Sequence, residues 1–548
     1  MSDRRLYEEE VSQRRVRKEH EHSESSIGPE TSLLDNREDH YGSLRKDSAW
    51  KNDIDIDHDA EIEKLMLEGR RAWDSEEEDV VRRKLDYRVM IWACTMFFSL
   101  QLIRNNIQNA ISADFLIDAN IPQNMYNLGQ TLFLLFFLLS EIPSQSFVRR
   151  FGAEIWLPIL MTCWAIVSIF QIFIKGSSLF LFTRAVIGAC EGGFVPGLTF
   201  YLSSFYKANE LSMRYSWIWA TQSGTNVIGA LLASGFIQIR GPLRGWQWLY
   251  MLEGVIATII GISSFFVMPS LRHQVVSTVF TARETAILRA RVVQDDPSKR
   301  NQQERVKFGC SSILTSLKAV IQALTDRFLL PIYILGLVAF VPSQTANYYL
   351  TITLRQLGFT ETVTNLLTIP YAAINISMTV GSSKLSDKFG VRWIFCLLSA
   401  VWVFAPQLLL KIIPDGSSRW LRFALVTLIL GYPYYHPILM SWISSNANNS
   451  DRRSLGFAIY NISVQCGNII AANVYRESDA PYYHRGNGIL IGLNVLSMII
   501  ILAIRRYYVV ENRRREKLLE QMDEDQKAEY AKLSKGLGNK QLFFKLKV

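Results

Sequence analysis

Cysteine and histidine are scarce in this chain of 548 residues, which contains six cysteines and seven histidines. Five of the cysteines fall inside long apolar runs and Cys310 lies in a polar stretch, so no pair is placed for a disulfide in an oxidising space. Neither residue type occurs at metal-ligand spacing, and we expect no metal site. Because no nucleophile–base or metal constellation is visible, an integral membrane enzyme is also disfavoured.

Acidic residues are scarce in most of the chain. Residues 1–86 contain 16 Lys/Arg and 25 Asp/Glu, a balance of −9, whereas residues 87–548 contain 43 and 25, a balance of +18. The mean hydropathy of +0.10 is high for a chain that includes such a polar segment. This separation argues against a soluble globular enzyme, whose charges would be interspersed over its surface. It also means that the basic pI of 9.1 is not by itself evidence of nucleic-acid binding.

Long apolar runs are abundant. A helix needs about 20 mostly apolar residues to cross a bilayer. Twelve such runs occur, and we expect a transmembrane helix in each: 87–110, 127–147, 155–174, 179–204, 214–237, 248–268, 329–350, 363–385, 392–411, 421–444, 455–475 and 487–508. The sequence therefore predicts an all-α integral membrane protein.

The distribution of Lys and Arg between the loops predicts the orientation of these helices. If both termini are cytoplasmic, the inner segments carry about 35 basic residues and the outer loops carry nine. The positive charge of the body is then explained by this bias and by contact with anionic membrane lipid, so we expect no nucleic-acid partner.

The runs divide into two sets of six. We expect a disordered cytoplasmic tail over 1–86, a six-helix bundle over 87–269, a cytoplasmic central loop over 270–327, a second six-helix bundle over 328–509 and a cytoplasmic tail over 510–548. Two sequence features recur in both halves. The Phe-Gly pair at Phe151 recurs at Phe389 after 238 residues, and Arg214 has a counterpart in Arg453 after 239 residues. A repeat offset of this size is typical of duplicated transporters, whose substrate site lies between the halves near the bilayer midplane.

Several motifs carry a specific resemblance. GSSKLSDKFGVRW resembles the inner-loop motif of the major facilitator superfamily, with Ser383 in place of its first glycine. LIRNNIQNA, RAVIGACEGGFVPG, GWQWLYMLEG, NLLTIPYA and YRESDAPYYHRG resemble one branch, the fungal allantoate permease family of anion:cation symporters, in the order of that family over residues 85–512. The resemblance implies twelve helices in two six-helix repeats, proton-coupled import of a small organic anion at the plasma membrane, and a monomer. It also implies that Asp387 and Arg392 act in conformational gating.

Arg104 is a charge in the outer half of the first run. Such a charge costs at least about 2.5 kcal/mol on insertion scales and normally faces a cavity or a partner. Its guanidinium fork fits a carboxylate or sulfonate, and the matching arginine of the resembling family contacts the anion. The alternative is an arginine that reaches the outer headgroups.

Glu191 is an acid in the middle of the fourth run. Burial raises the pKa of a carboxyl group and a nearby arginine lowers it, so such a group can bind and release a proton. The resemblance implies that Glu191 is the proton-coupling site, and the alternative is a permanent ion pair. Arg184 lies two helical turns earlier on the same face, too far for a direct pair, and is expected to be a second anion contact or a gating contact.

The resembling family usually has an aspartate before the arginine of span 1, where this chain has Ile103. If Glu191 is the only mid-span acid, we expect about one proton per monoanion and uptake that does not depend on membrane voltage.

We expect the substrate-binding residues to come from spans 1, 4, 5, 7 and 11, with the proton as the only co-substrate and no cofactor. The predicted set is Arg104, Asn106, Arg184, Asn226, Tyr348 and Gln465. For each amide and tyrosine the alternative is an ordinary interhelical hydrogen bond. A nutrient sensor with this fold but little flux, and a carrier of an organellar membrane, remain open at this point.

Overall fold

A computed structural model of the chain describes residues 73–111, 115–237, 239, 241–269, 280–296, 299, 319–356, 368–414, 416–447, 450–475, 479, 482–534 and 538–548. Every regular element within these ranges is a helix. The helices occupy the twelve predicted apolar runs, and we number them as spans 1–12 in chain order.

The first six spans have the following bounds: span 1 Ile91–Ile111, span 2 Gln123–Phe151, span 3 Ala153–Phe170, span 4 Ser177–Gly192 with Phe194–Ser203, span 5 Leu211–Ile237 and span 6 Gly245–Val267. The second six have these: span 7 Leu330–Ala339 with Val341–Gln356, span 8 Thr368–Phe389, span 9 Trp393–Ile412, span 10 Arg419–Leu430 with His436–Ala447, span 11 Ser450–Ala471 and span 12 His484–Glu520.

Spans 4, 7 and 10 are each built from two helical segments. Pro196, Pro342 and Pro437 stand in the first turn of the second segment of these three spans. A proline lacks the N–H that would continue the helix and its ring clashes with the carbonyl four residues before it, which explains why each helix is interrupted just ahead.

The spans differ in polarity. Seven of the described helices are apolar and long enough to cross a membrane, namely those of spans 2, 3, 4, 6, 7, 9 and 12. The more polar spans include 5, 8, 10 and 11, which make the contacts between the two halves: span 5 packs on spans 8 and 10, and span 11 packs on spans 2 and 4. Their polar residues thus face another helix rather than lipid.

Both ends of the described chain lie on one side, which we call the tail side. There the helix Ser75–Leu85 packs on the central-loop helix Ala282–Asp295. Arg291 of the central-loop helix is fully buried and donates to Glu210 at 3.1 Å, while Asp296 forms an ion pair with Arg453 of the second half. The structure therefore differs from the prediction of a disordered tail over all of 1–86 and of a plain loop over 270–327.

The C-terminal region continues as helix beyond the last predicted span. Span 12 continues to Glu520, beyond the predicted end at 508, and the helix Glu524–Leu533 follows it. The last residues run back to the second half, where Lys547 accepts a hydrogen bond from Trp442 and the backbone N–H of Arg392 donates to Val548 at 3.2 Å.

The acidic residues of the N-terminal helix are held by these tail-side contacts. A hydrogen bond from Arg283 holds the pKa of Glu77 below its usual value. Burial alone would raise the pKa of Glu78, but hydrogen bonds from Lys207 and Trp73 and the charge of Arg291 lower it. These carboxylates therefore bind their partners in the ionised form.

Candidate functional site

Span 4 approaches span 2 at two glycines one helical turn apart. A Cβ atom at Gly188 would collide with the backbone oxygen of Phe133, and one at Gly192 would collide with that of Phe137. Glycines at this spacing let two membrane helices come into close contact. The approach places Glu191, which lies between them, inside the first half with no exposed surface.

Arg104 and Glu191 form an ion pair. The Nε of Arg104 donates to Oε2 of Glu191 at 2.6 Å, and the guanidinium lies 5.0 Å from the centre of the Phe137 ring. Glu191 Oε1 and Arg104 Nη2 are buried and have no hydrogen-bond partner among the described residues. The pair thus keeps a donor and an acceptor that a ligand or a proton can engage. Arg104 is directed to an interior partner and not to the headgroups.

Arg184 lies in the same region but makes different contacts. It donates to Gln130 of span 2 at 2.8 Å, and its guanidinium lies 4.4 Å from the centre of the Phe133 ring. It is buried and acts electrostatically on Glu191 without a direct ion pair among the described contacts. Two arginines and one glutamate, predicted from the first and fourth runs, are therefore brought together.

Two further acids lie well inside their spans, away from the helix ends, and sequence reasoning missed both. Glu141 of span 2 and Glu253 of span 6 have no exposed surface. Glu141 accepts a hydrogen bond of 2.6 Å from Asn461 of span 11, whereas neither carboxyl oxygen of Glu253 has a hydrogen-bond partner among the described residues. The premise that Glu191 is the only mid-span acid is wrong. An acid within an apolar run, the signal that indicated Glu191, was equally present at both positions.

The remaining predicted substrate contacts are not gathered at this pair by the described contacts. Gln465 accepts a hydrogen bond of 2.8 Å from Asn468 of its own helix, and Tyr348 of span 7 is half-exposed. The side chains of Asn106 and Asn226 lie outside the described residues.

His436 begins the second segment of span 10 and is buried between the halves. Its Nδ1 lies 3.1 Å from the Tyr460 hydroxyl, and its ring is 4.4 Å from that of Trp219 in span 5. These contacts fit a packing role across the two halves.

Asp387 and Arg392 join the halves at the tail side. Asp387 accepts a hydrogen bond of 2.8 Å from the backbone N–H of Met213, at the start of span 5. Arg392 donates to the Ser212 hydroxyl and, at 2.6 Å, to the backbone oxygen of Ala208, and it lies 3.3 Å from Asp387. The inner-loop motif of the second half is therefore hydrogen-bonded to the first half, and these bonds hold the two halves together on the tail side.

A separate pocket opens in the second half, away from the charged pair. About 550 Å³ of space, including open solvent, is lined by residues that include Gln407, Arg422, Tyr475 and Tyr482. The Arg422 guanidinium lies 4.3 Å from the centre of the Tyr482 ring and donates to Pro414, so the described contacts account for it structurally.

Comparison with known proteins identifies the family. The model described as Major Facilitator Superfamily matches residues 93–472. The chain belongs to this superfamily. An uncharacterized transporter of Saccharomyces cerevisiae is 35% identical over 484 residues, which are 86% of this chain and 88% of the relative. The major facilitator-type transporter hxnP of Emericella nidulans is 26% identical over 81% of this chain and 88% of its own.

Solved structures of superfamily members share the fold. The proton:xylose symporter XylE superposes with a TM-score of 0.56 at 14% identity, covering 78% of this chain and 96% of that chain. The fucose:proton symporter FucP of E. coli gives 0.55 at 14% identity, covering 76% and 98%. The prediction of an all-helical superfamily fold, and of a membrane transporter rather than an enzyme, is confirmed.

Proposed function

We propose that this transporter is a proton-coupled importer of a small organic anion, a carboxylate or a sulfonate. The observation that carries the proposal is the buried Arg104–Glu191 pair, whose bond of 2.6 Å joins spans 1 and 4. A guanidinium fork recognises planar carboxylates and related anions, and Glu191 is the carboxyl group that competes with such an anion for it.

The competition supplies a coupling mechanism. An anion that binds Arg104 displaces the Glu191 carboxylate, which is then buried without its ion-pair partner and becomes easier to protonate. Bound anion and bound proton therefore favour each other, as symport requires. Arg184, which lies in the same cluster, adds a second positive charge and is proposed as a further anion contact.

Alternating access follows from the arrangement of the halves. The tail side is closed by Asp387 and Arg392, and we propose that these residues act as a gate that must release span 5 before the substrate leaves. Substrate and proton enter from the opposite side, the halves rock, and Glu191 loses its proton inward. We place both termini in the cytoplasm, the protein in the plasma membrane as a monomer, and its sequence in the allantoate permease branch.

A growth screen tests the function without a known substrate. A fungal strain that lacks this gene is grown on single nitrogen, sulfur and vitamin sources, with and without the wild-type chain. The source on which the wild-type chain restores growth identifies the anion.

Arg104→Ala is then expected to abolish uptake of this anion. Glu191→Gln is expected to abolish accumulation but to spare exchange of labelled for unlabelled substrate, because exchange needs no net proton movement. Accumulation that survives in Glu191→Gln contradicts the proposal.

The same screen separates transport from sensing. A sensor with this fold would restore signalling without measurable flux, whereas we expect rescue in proportion to uptake. Fluorescence of a tagged chain distinguishes the plasma membrane from an organellar one.

A further inference from the structure

Spans 2 and 11 meet along a buried polar seam that joins the two halves. Asn461 donates to Oε1 of Glu141 at 2.6 Å, and one turn further along span 2 the Gln145 side chain accepts a hydrogen bond of 3.2 Å from Ser454. Gln145 also donates to the backbone oxygen of Gly193, at the break of span 4. Both bonds of the seam span more than 300 residues of sequence and hold the halves together between the midplane and the tail side.

Glu141 is the only group of this seam that can gain or lose a proton. Its second oxygen, Oε2, is buried and has no hydrogen-bond partner among the described residues. A carboxylate in such a place is costly unless a cation compensates it. The arginine that acts on it is Arg104, whose Nε is already bonded to Glu191. Glu141 and Glu191 therefore share the Arg104 guanidinium.

The other ionisable groups on the helices packed against span 2 are accounted for. Span 4 presents Arg184 and Glu191 in the same cluster and also carries Cys190 and Tyr201, while span 3 carries Cys163 and, at its tail end, Glu154. Span 11 contributes Tyr460, which is bonded to His436, together with Cys466 and the arginines Arg452 and Arg453 at its tail end.

We propose that Glu141 is a second proton-binding carboxylate of this transporter and that its protonation releases Asn461, which opens the tail side. The inference rests on the proposed function, to which it adds a second proton site and a link to the gate.

The step is a simple proton transfer. A proton that arrives from the side opposite the tails binds a Glu141 oxygen and turns a carboxylate into a carboxylic acid. A hydrogen bond to an ionised acceptor is roughly twice as strong as one between neutral groups, so protonation weakens the bond from Asn461. The seam then separates, the tail side opens, and the proton leaves to the solvent on that side. The restored carboxylate accepts from Asn461 again and closes the tail side.

Two acids change the expected stoichiometry. With protons on both Glu141 and Glu191, a monoanion would carry a net positive charge inward, and transport would respond to the membrane potential.

Infrared difference spectroscopy tests the proton site without any substrate, because the proton itself is the probe. The full-length protein in lipid nanodiscs is taken from pH 8 to pH 5, and the C=O stretch of newly protonated, buried carboxyl groups is recorded. The bands of the wild type should include one from Glu141 and one from Glu191. Glu141→Gln, which keeps an oxygen that accepts from Asn461, should lose one band, and Glu191→Gln should lose the other.

Distances between spin labels test the link to the gate. Labels at Phe151, the exposed end of span 2, and at Arg513, exposed on span 12, report the separation of the halves on the tail side. Acidification should lengthen this distance in the wild type and leave it unchanged in Glu141→Gln. Asn461→Ala should be open at both pH values. Ser454→Ala, the matched control, removes a bond of the same seam but should keep the response to pH.

The two measurements distinguish failure of the second proton site from failure of the proposed role of Glu191. If Glu141→Gln retains both bands, or retains the pH-dependent change in distance, the proposal is overturned. If Glu141→Gln loses its band while Glu191→Gln loses none, the second site stands and the proposed role of Glu191 fails.

Discussion

At the scale of the residue, the site depends on charges that are buried together. Arg104 and Glu191 were predicted from the cost of a charge in an apolar run, a signal that a single position carries. Their pairing was not predicted, because it joins two positions 87 residues apart in different helices. Glu141 and Glu253 are also charged residues inside apolar runs, and both were missed. The prediction of one proton per monoanion therefore left two buried carboxyl groups out of account.

The ion pair makes a testable contribution to stability. Breaking a buried pair by removing one partner destabilises by about 3–5 kcal/mol because it leaves an uncompensated buried charge, whereas replacing both partners by hydrophobic residues of similar volume is often neutral or stabilising. Neutralising both partners likewise leaves no uncompensated charge. We expect Arg104→Gln to lower the midpoint of thermal unfolding in detergent, and the double variant Arg104→Gln with Glu191→Gln to recover most of that loss. Both should be inactive in uptake. A single variant as stable as the wild type would show that the pair is not formed.

At the scale of the element, span 4 is positioned by its glycines. Gly188 and Gly192 allow its backbone to contact span 2, and this contact buries Glu191. The glycines beside Glu191 are visible in the sequence, but the surface they pack against is not, because it is set by which helix lies opposite.

Enlarging one of these glycines should therefore damage the site. Gly188→Ala adds a methyl group where the backbone of Phe133 lies, and overpacking of this kind costs about 1–3 kcal/mol. We expect a lower unfolding temperature and reduced uptake. Gly224→Ala in span 5 is the matched control, since no atom lies within 4 Å of its added Cβ. Equal effects of the two variants would contradict the packing argument.

The N-terminal helix Ser75–Leu85 is an element that charge alone did not predict. Its sequence is polar, but a hydrophobic pair, Val81 and Leu85, is buried against the body. The acidic residues pair with bases from the loop after span 4 and from the central-loop helix, so a docked helix lies within a stretch whose composition predicted disorder.

Lowering the pH should weaken the docking of the helix Ser75–Leu85 on the rest of the protein. Because the pKa values of Glu77 and Glu78 are lowered from 4.5 in the folded chain, their ion pairs stabilise docking above about pH 4.5 and are lost as the pH falls through the lowered values. We expect lower protection of the amides of residues 75–85 against hydrogen exchange below that pH, after correction for the intrinsic exchange rate, and in Glu78→Gln at neutral pH. Glu76→Gln, an exposed neighbour, is the control and should exchange like the wild type.

At the scale of the whole molecule, the two halves are held closed on the tail side by contacts in which charged or polar groups cross between them. These are the Asp387–Arg392 motif, the seam of spans 2 and 11, and the Asp296–Arg453 pair. Polar contacts suit an interface that must open and close, since water can replace the partners that are lost.

Loss of the motif should favour the open state. Arg392→Ala removes bonds to Ser212 and to the Ala208 backbone, so the tail-side separation measured between labels at Phe151 and Arg513 should increase at pH 8. Lys388→Ala, an exposed neighbour in the same motif, should leave the distance as in the wild type. An unchanged distance in Arg392→Ala would remove this residue from the gate.

The number of spans, their division into two halves and the presence of charges at membrane depth were determined by the sequence alone, because hydropathy and charge are properties of local segments that add along the chain. The tertiary structure decided which charges meet. Glu191 binds Arg104 rather than Arg184, and Glu141 reaches Asn461 across 320 residues. Such pairings depend on which helix faces come into contact. Those faces are selected by the close backbone contact that glycines allow and by the fit of the two halves, and neither is a property of a single segment.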